Sequence, residues 1–141
     1  MQRSASASWT GGLKSGTGTI STQSGVLEKT QYGFNTRFEE GPGTNPEELI
    51  GAAHAGCFTM ALSFGLARAG YSGDRLETSA AVTLDQVEGG FQITKSALTL
   101  TGKVPGISAD EFARIAEEAE KNCPVSKLLN CEITLEHRLE S

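Results

Sequence analysis

The side chains of this chain able to act as nucleophile, redox centre or soft metal ligand are three cysteines and two histidines. Cys57 lies in the small-residue run His54-Ala55-Gly56-Cys57-Phe58, Cys123 stands directly before Pro124, and Cys131 neighbours Leu128, Leu129 and Ile133. Separations of 66 and 8 residues contain no CxxC pair and no zinc-ribbon spacing. Two chemistries then remain for these thiols: inert burial as small hydrophobes, or redox cycling. Cys57 and Cys123 can form a disulfide only if the fold brings their Cα atoms within about 7 Å, which spacing alone does not decide. Cys131 is expected to serve packing. His54, one turn before Cys57, could act as its base or ligate a metal, but His137, the other histidine, is remote in sequence and no metal site is expected.

Charged residues form the next set of candidates. Arg37, in the run Phe34-Asn35-Thr36-Arg37-Phe38, reads as an exposed strand arginine or as the fixed positive charge that favours a thiolate. Glu47 and Glu48 suit a helix N-terminus, where free N–H groups and the dipole stabilise negative charge.

The elements that must carry these residues follow from local pattern. Residues Ala5 to Phe38 are rich in Gly, Ser and Thr, with β-branched or aromatic runs at Thr17 to Ser21 and Tyr32 to Phe38, giving two or three short strands. Gly41-Pro42-Gly43 breaks the chain. Asn45 can cap, Pro46 suits the first helical position, and a long helix is predicted from there through Ala67. Its length permits a membrane span, yet it is built largely of Gly, Ala, Ser and Thr and lacks basic anchors, so a helix buried at the centre of a fold is expected instead. Gly51, Ala55 and Gly56 would let another backbone approach, including that of a symmetry mate.

Leu76 to Val87 and Phe91 to Leu100 read as a hairpin around Glu88-Gly89-Gly90. Ser108 starts an amphipathic helix, with Glu111 completing a capping box and Phe112, Ile115, Ala116 and Ala119 on one face. Proline after Cys123 ends that helix, leaving a thiol able to project from its surface. Cys131 to Leu139 alternates as a final strand. The order βββ, long α, ββ, α, β is an α+β class without βαβα rhythm. With 141 residues, one domain over 1–141 is expected.

Seventeen acidic residues against 12 basic ones give a net charge of −5, and the basic residues are scattered, which argues against nucleic acid as a partner. Met1 to Ser8 carries no apolar signal core, and a cytoplasmic location is expected.

The segments SGVLEKTQYGFNTRFEEGPGTNPEELIGAAHAGCFTMALS, VPGISADEF and NCPVSKLLNCEITLEHRL together resemble the OsmC/Ohr family, the osmotically inducible and organic hydroperoxide resistance proteins. The run YGFNTRFE is nearer the OsmC branch, and Cys131 departs from the non-thiol expected at its position. The resemblance implies an OsmC-like fold of antiparallel sheets with a long central buried helix, forming an intertwined homodimer. It implies a cysteine-based peroxidase of organic hydroperoxides without metal, haem or flavin, using hydrogen peroxide less well. Cys57 would be the peroxidatic thiol, Cys123 its resolving partner through a Cys57–Cys123 disulfide, and Arg37 and Glu47 the bidentate polar pair that tunes Cys57. A dithiol reductant of lipoylated type would complete turnover. The rivals are a module binding a small apolar ligand and a structural stress protein, both on the same dimeric fold.

One expectation is geometric. Glu47 and Cys57 are ten residues apart on one predicted helix, a rise of about 15 Å and roughly 80° in azimuth. They should not touch within one chain. If both serve one site, antiparallel pairing of two long helices across a two-fold axis would build composite sites, two per dimer.

Overall fold

Alternating small and β-branched residues form the first sheet of the computed structural model, which describes residues 1–141. Strands β1 (Ala5–Thr10), β2 (Thr17–Thr22) and β3 (Thr30–Tyr32) pair antiparallel in sequence order. The Trp9 and Tyr32 rings meet edge to face at 5.7 Å, crossing Gly18 of β2. A Cβ there would come within 2.5 Å of the Tyr32 ring and 2.7 Å of Trp9, so only glycine lets the two rings close over the strand.

The expected strand through Phe38 is corrected by the structure: Phe34–Phe38 is a short helix, α1. The side chain of Thr36 explains the switch. Its hydroxyl accepts from the Gly33 N–H at 2.8 Å and donates to the Gly33 carbonyl at 2.9 Å, closing a helical turn that the strand-like composition conceals. Phe34 and Phe38, one turn apart, stack at 5.0 Å.

The chain divides into two compact units, Met1–Leu49 and Ile50–Ser141. Helix α2 (Pro46–Arg68) starts in the last residues of the first and continues into the second. Asn45 caps it, its side-chain oxygen accepting from the Glu48 N–H at 2.8 Å.

The second unit holds every buried hydrophobic residue of the core. Phe58, Leu62 and Leu66 recur at four-residue steps on α2 and pack with Phe112, Ile115, Ala116 and Ala119 of α3 (Ala109–Asn122) and with Leu98 and Leu100 of β5 (Gly90–Lys103). The expected α3 face is therefore the buried one. Its capping box forms by half: Ser108 accepts from the Glu111 N–H at 3.2 Å, while the Glu111 carboxylate accepts from the Tyr71 hydroxyl at 2.5 Å.

Strands β4 (Arg75–Val87) and β5 (Gly90–Lys103) pair antiparallel from Arg75↔Lys103 to Val87↔Gly90. Glu88 and Gly89 turn the hairpin, Gly89 at a φ of 91° that favours glycine. The expectation of antiparallel sheets holds for β1–β2–β3 and β4–β5 but not for β6 (Glu132–Glu140), which pairs parallel to β5 from Lys95↔Glu132 to Lys103↔Glu140. A parallel pair needs a long crossover, supplied here by α3 and by a second helix, α4 (Pro124–Leu128), that sequence reading did not anticipate.

Helix α2 is long and apolar enough to cross a membrane by length and composition. Within this chain it buries one stripe, Gly51, His54, Phe58, Leu62 and Leu66, and leaves the opposite one, from Ala52 through Gly56, Met60 and Phe64, exposed.

Candidate active site

Cys57 and Cys123 are brought together. Cys57 lies on α2 with its side chain half-buried, and Cys123, the N-cap of α4, is 0% exposed. Sequence pattern had left Cys123 free to project from a helix surface; instead Pro124 turns the chain into α4 and directs the thiol inward. The two thiols are free, and the Cys123 thiol and the Val125 N–H are the groups close enough to act on the Cys57 sulfur. Burial pushes the Cys57 thiol above its ordinary pKa, the Cys123 thiol adds to the rise through the hydrogen bond and its charge, and the Val125 N–H acts the other way.

Arg37 and Glu47 form a second cluster, in the first unit. The Arg37 Nε donates to Glu47 Oε1 at 2.7 Å. Glu47 is 8% exposed, yet its Oε2 is buried with no hydrogen-bond partner. The expected bidentate fork is thus a single contact, through Nε to Oε1, with Oε2 left out of it. Asn45 fixes this arrangement by donating from Nδ2 to the Thr36 carbonyl at 3.0 Å, which ties the turn carrying Arg37 to the start of α2. As expected of a first-turn acid, Glu47 gains from the helix dipole.

His54 has its ring nitrogens engaged by two serines rather than by Cys57. It is fully buried, with Nδ1 against Ser96 Oγ at 2.7 Å and Nε2 against Ser126 Oγ at 2.8 Å, so both ring nitrogens are engaged. No group of three or more His, Cys, Asp or Glu side chains is arranged to hold a metal ion. Cys131 is half-buried just before β6. Sequence reading missed Ser96, Ser126 and the Val125 N–H. The only trace of them is spacing, since Ser126 follows Cys123 by the same three residues that His54 precedes Cys57.

Beside Cys57 runs an open groove of about 990 Å³ between α2 and α3. Met60, Phe64, Ile115 and Ala119 make its walls apolar, with Arg68, Arg114 and Lys127 at its margins.

The OsmC-like protein family model matches residues 39–138. The chain is 56% identical over 135 residues to peroxiredoxin OsmC of Escherichia coli (strain K12), covering 96% of this chain and 94% of the relative. It is 36% identical over 97 residues to the organic hydroperoxide resistance protein OhrA of Bacillus subtilis (strain 168), covering 66% of each. Among solved structures, OhrB of Bacillus subtilis superposes with a TM-score of 0.69 at 26% identity over 97% of this chain and 98% of that one. An OsmC-like protein of Vibrio cholerae superposes with a TM-score of 0.79 over 98% and 99%, and at 18% identity speaks for the fold. Two thiols brought together between the middle of α2 and the first turn of α4, in a chain this similar to a peroxiredoxin, place it in the OsmC-like family as a cysteine-based peroxidase.

Proposed function

We propose that this chain reduces organic hydroperoxides in the cytoplasm, with Cys57 as the attacking thiol and Cys123 as the resolving one. The observation that carries the reading is the meeting of two free thiols 66 residues apart in sequence. The Cys57 thiolate attacks the distal peroxide oxygen, the O–O bond breaks, and the alkoxide takes a proton and leaves as alcohol. Cys123 then condenses with the sulfenic acid to give a disulfide and water. An external dithiol, of the lipoyl type, returns both thiols. The apolar groove beside Cys57 favours alkyl and lipid hydroperoxides over hydrogen peroxide, because a hydrocarbon tail gains from burial there and a hydroxyl does not.

A nucleophilic thiol also needs its pKa lowered, whereas burial and Cys123 raise that of Cys57. Arg37 is the cation for that task, held by Glu47. Helix geometry separates Glu47 from Cys57 by about 15 Å along α2, so the reading assigns the two polar residues of one subunit to the thiols of a partner, in a homodimer formed through the exposed apolar stripe of α2. Glu47 Oε2, buried without a partner, is then available to a group from outside its own unit.

The test is consumption of cumene hydroperoxide and hydrogen peroxide by purified protein with a dithiol reductant. The wild type should turn over the organic peroxide faster, Cys57→Ser should be inactive, and Cys123→Ser should lose dithiol-supported turnover after its first oxidation. A wild type without thiol-dependent turnover would transfer the function to ligand binding.

A further inference from the structure

His54 is wholly enclosed, and its two ring nitrogens are taken by Ser96 of β5 and Ser126 of α4. Burial lowers its pKa, so the ring is neutral and carries one N–H: one serine hydroxyl accepts from it and the other donates to the bare nitrogen. No lone pair or proton is left for Cys57.

The spacing gives the tie a second meaning. His54 and Cys57 are one turn apart on α2, and Ser126 is one turn beyond the N-cap Cys123 of α4. The contacts His54 to Ser126 and Cys57 to Cys123 are therefore two rungs between the same two turns, and the Val125 N–H acts on the Cys57 sulfur between them. Helix α4 has five residues and no side-chain cap, far short of a length that persists alone. The Cys123 N–H donates to the Ala119 carbonyl at 2.9 Å as the C-cap of α3, so α3 holds its backbone on one side and what α4 touches sets the turn on the other.

We propose that His54 is the positioning residue of the resolving step: through Ser126 it holds the first turn of α4 so that Cys123 stays within reach of Cys57 once Cys57 is oxidised. This rests on the peroxidase reading above. The sulfenic acid at Cys57 has two fates. Attack by Cys123 forms the S–S bond and breaks the S–O bond, and the hydroxyl leaves with the thiol proton as water. Alternatively, a second hydroperoxide transfers its distal oxygen to sulfur, releasing a second alcohol and leaving a sulfinic acid that a dithiol does not reduce. A loosened α4 slows the first route and leaves the second untouched.

Three substitutions separate positioning from packing. Ser126→Ala cuts the rung to α4, Ser96→Ala cuts a bond of the same kind to β5, and His54→Gln retains an amide able to reach Ser126. Reduced protein is titrated with cumene hydroperoxide and its species are counted by intact mass. The ratio of sulfinic acid to disulfide should rise about fivefold to tenfold in Ser126→Ala, the equilibrium worth of one lost hydrogen bond. It should stay near wild type in Ser96→Ala and be intermediate in His54→Gln. In a glutathione redox buffer, which needs no peroxide, the Cys57–Cys123 disulfide constant should fall by a similar factor in Ser126→Ala and not in Ser96→Ala. This second measurement stands even if the protein consumes no hydroperoxide, a result that would remove the proposed function and leave the tether. Equal shifts in both serine variants, or none in Ser126→Ala, would overturn the proposal.

Discussion

At the scale of single residues, the Cys57 thiol is governed by opposed effects of known sign. Burial raises its pKa first, the Cys123 thiol raises it further by hydrogen bond and charge, and the Val125 N–H lowers it. Only the thiolate attacks an electrophile, so whatever raises the pKa moves reactivity to higher pH. Cys123→Ala removes two of the raising influences and leaves the burial and the amide in place. Its Cys57 alkylation rate, measured against pH with iodoacetamide, should rise at a lower pH than in Cys123→Ala,Arg37→Ala, and the Cys57 midpoint of Cys123→Ala should lie below that of reduced wild type. A midpoint unchanged by removing Cys123 would show that the paired thiol exerts no hold on Cys57.

At the scale of elements, α2 presents two apolar stripes with different duties. Leu62, fully buried among α3 and β5 side chains, packs within the chain, and Leu62→Ala should cost about 2–5 kcal/mol by denaturant unfolding. Gly56 lies on the other stripe, where an added Cβ meets nothing within 4 Å. Gly56→Leu should leave secondary structure intact by circular dichroism while shifting the particle to monomer size in sedimentation velocity, if a second α2 packs there. These duties explain what was legible. The Asn45 cap, Pro46, the Ser108 cap, the α3 face and the Glu88-Gly89 turn are local signals, and each stands where sequence placed it. Phe34–Phe38 misled because its composition suits a strand while one threonine hydroxyl closes a turn. Helix α4, the parallel β6 and the inward Cys123 depend on contacts across tens of residues, which no local period encodes. His54 is the clearest case, a histidine beside a cysteine whose role is fixed by serines 42 and 72 residues away.

At the scale of the whole molecule, the distribution of burial asks for a partner. The first unit contributes no residue to the hydrophobic core, and all six residues of β1 are exposed. In the second, Met60 is 75% and Phe64 65% exposed on a helix with scarcely a charge along its middle. A three-stranded sheet with no buried large side chain of its own is marginal in water, and a contiguous apolar helix face marks an interface. The proposed intertwined homodimer would answer both, and it would make the charged pair and the thiol pair of each site come from different chains. Co-expression of a Cys57→Ser chain with an Arg37→Ala chain under two affinity tags tests this. Each homodimer should be inactive. In the doubly tagged heterodimer, the Cys57 of the Arg37→Ala chain meets the Arg37 of the Cys57→Ser chain, so one site of the two should work and recover about half of wild-type turnover. If both groups of a site came from one chain, every site in that heterodimer would lack one of them, and verified heterodimers would stay as inactive as the parents.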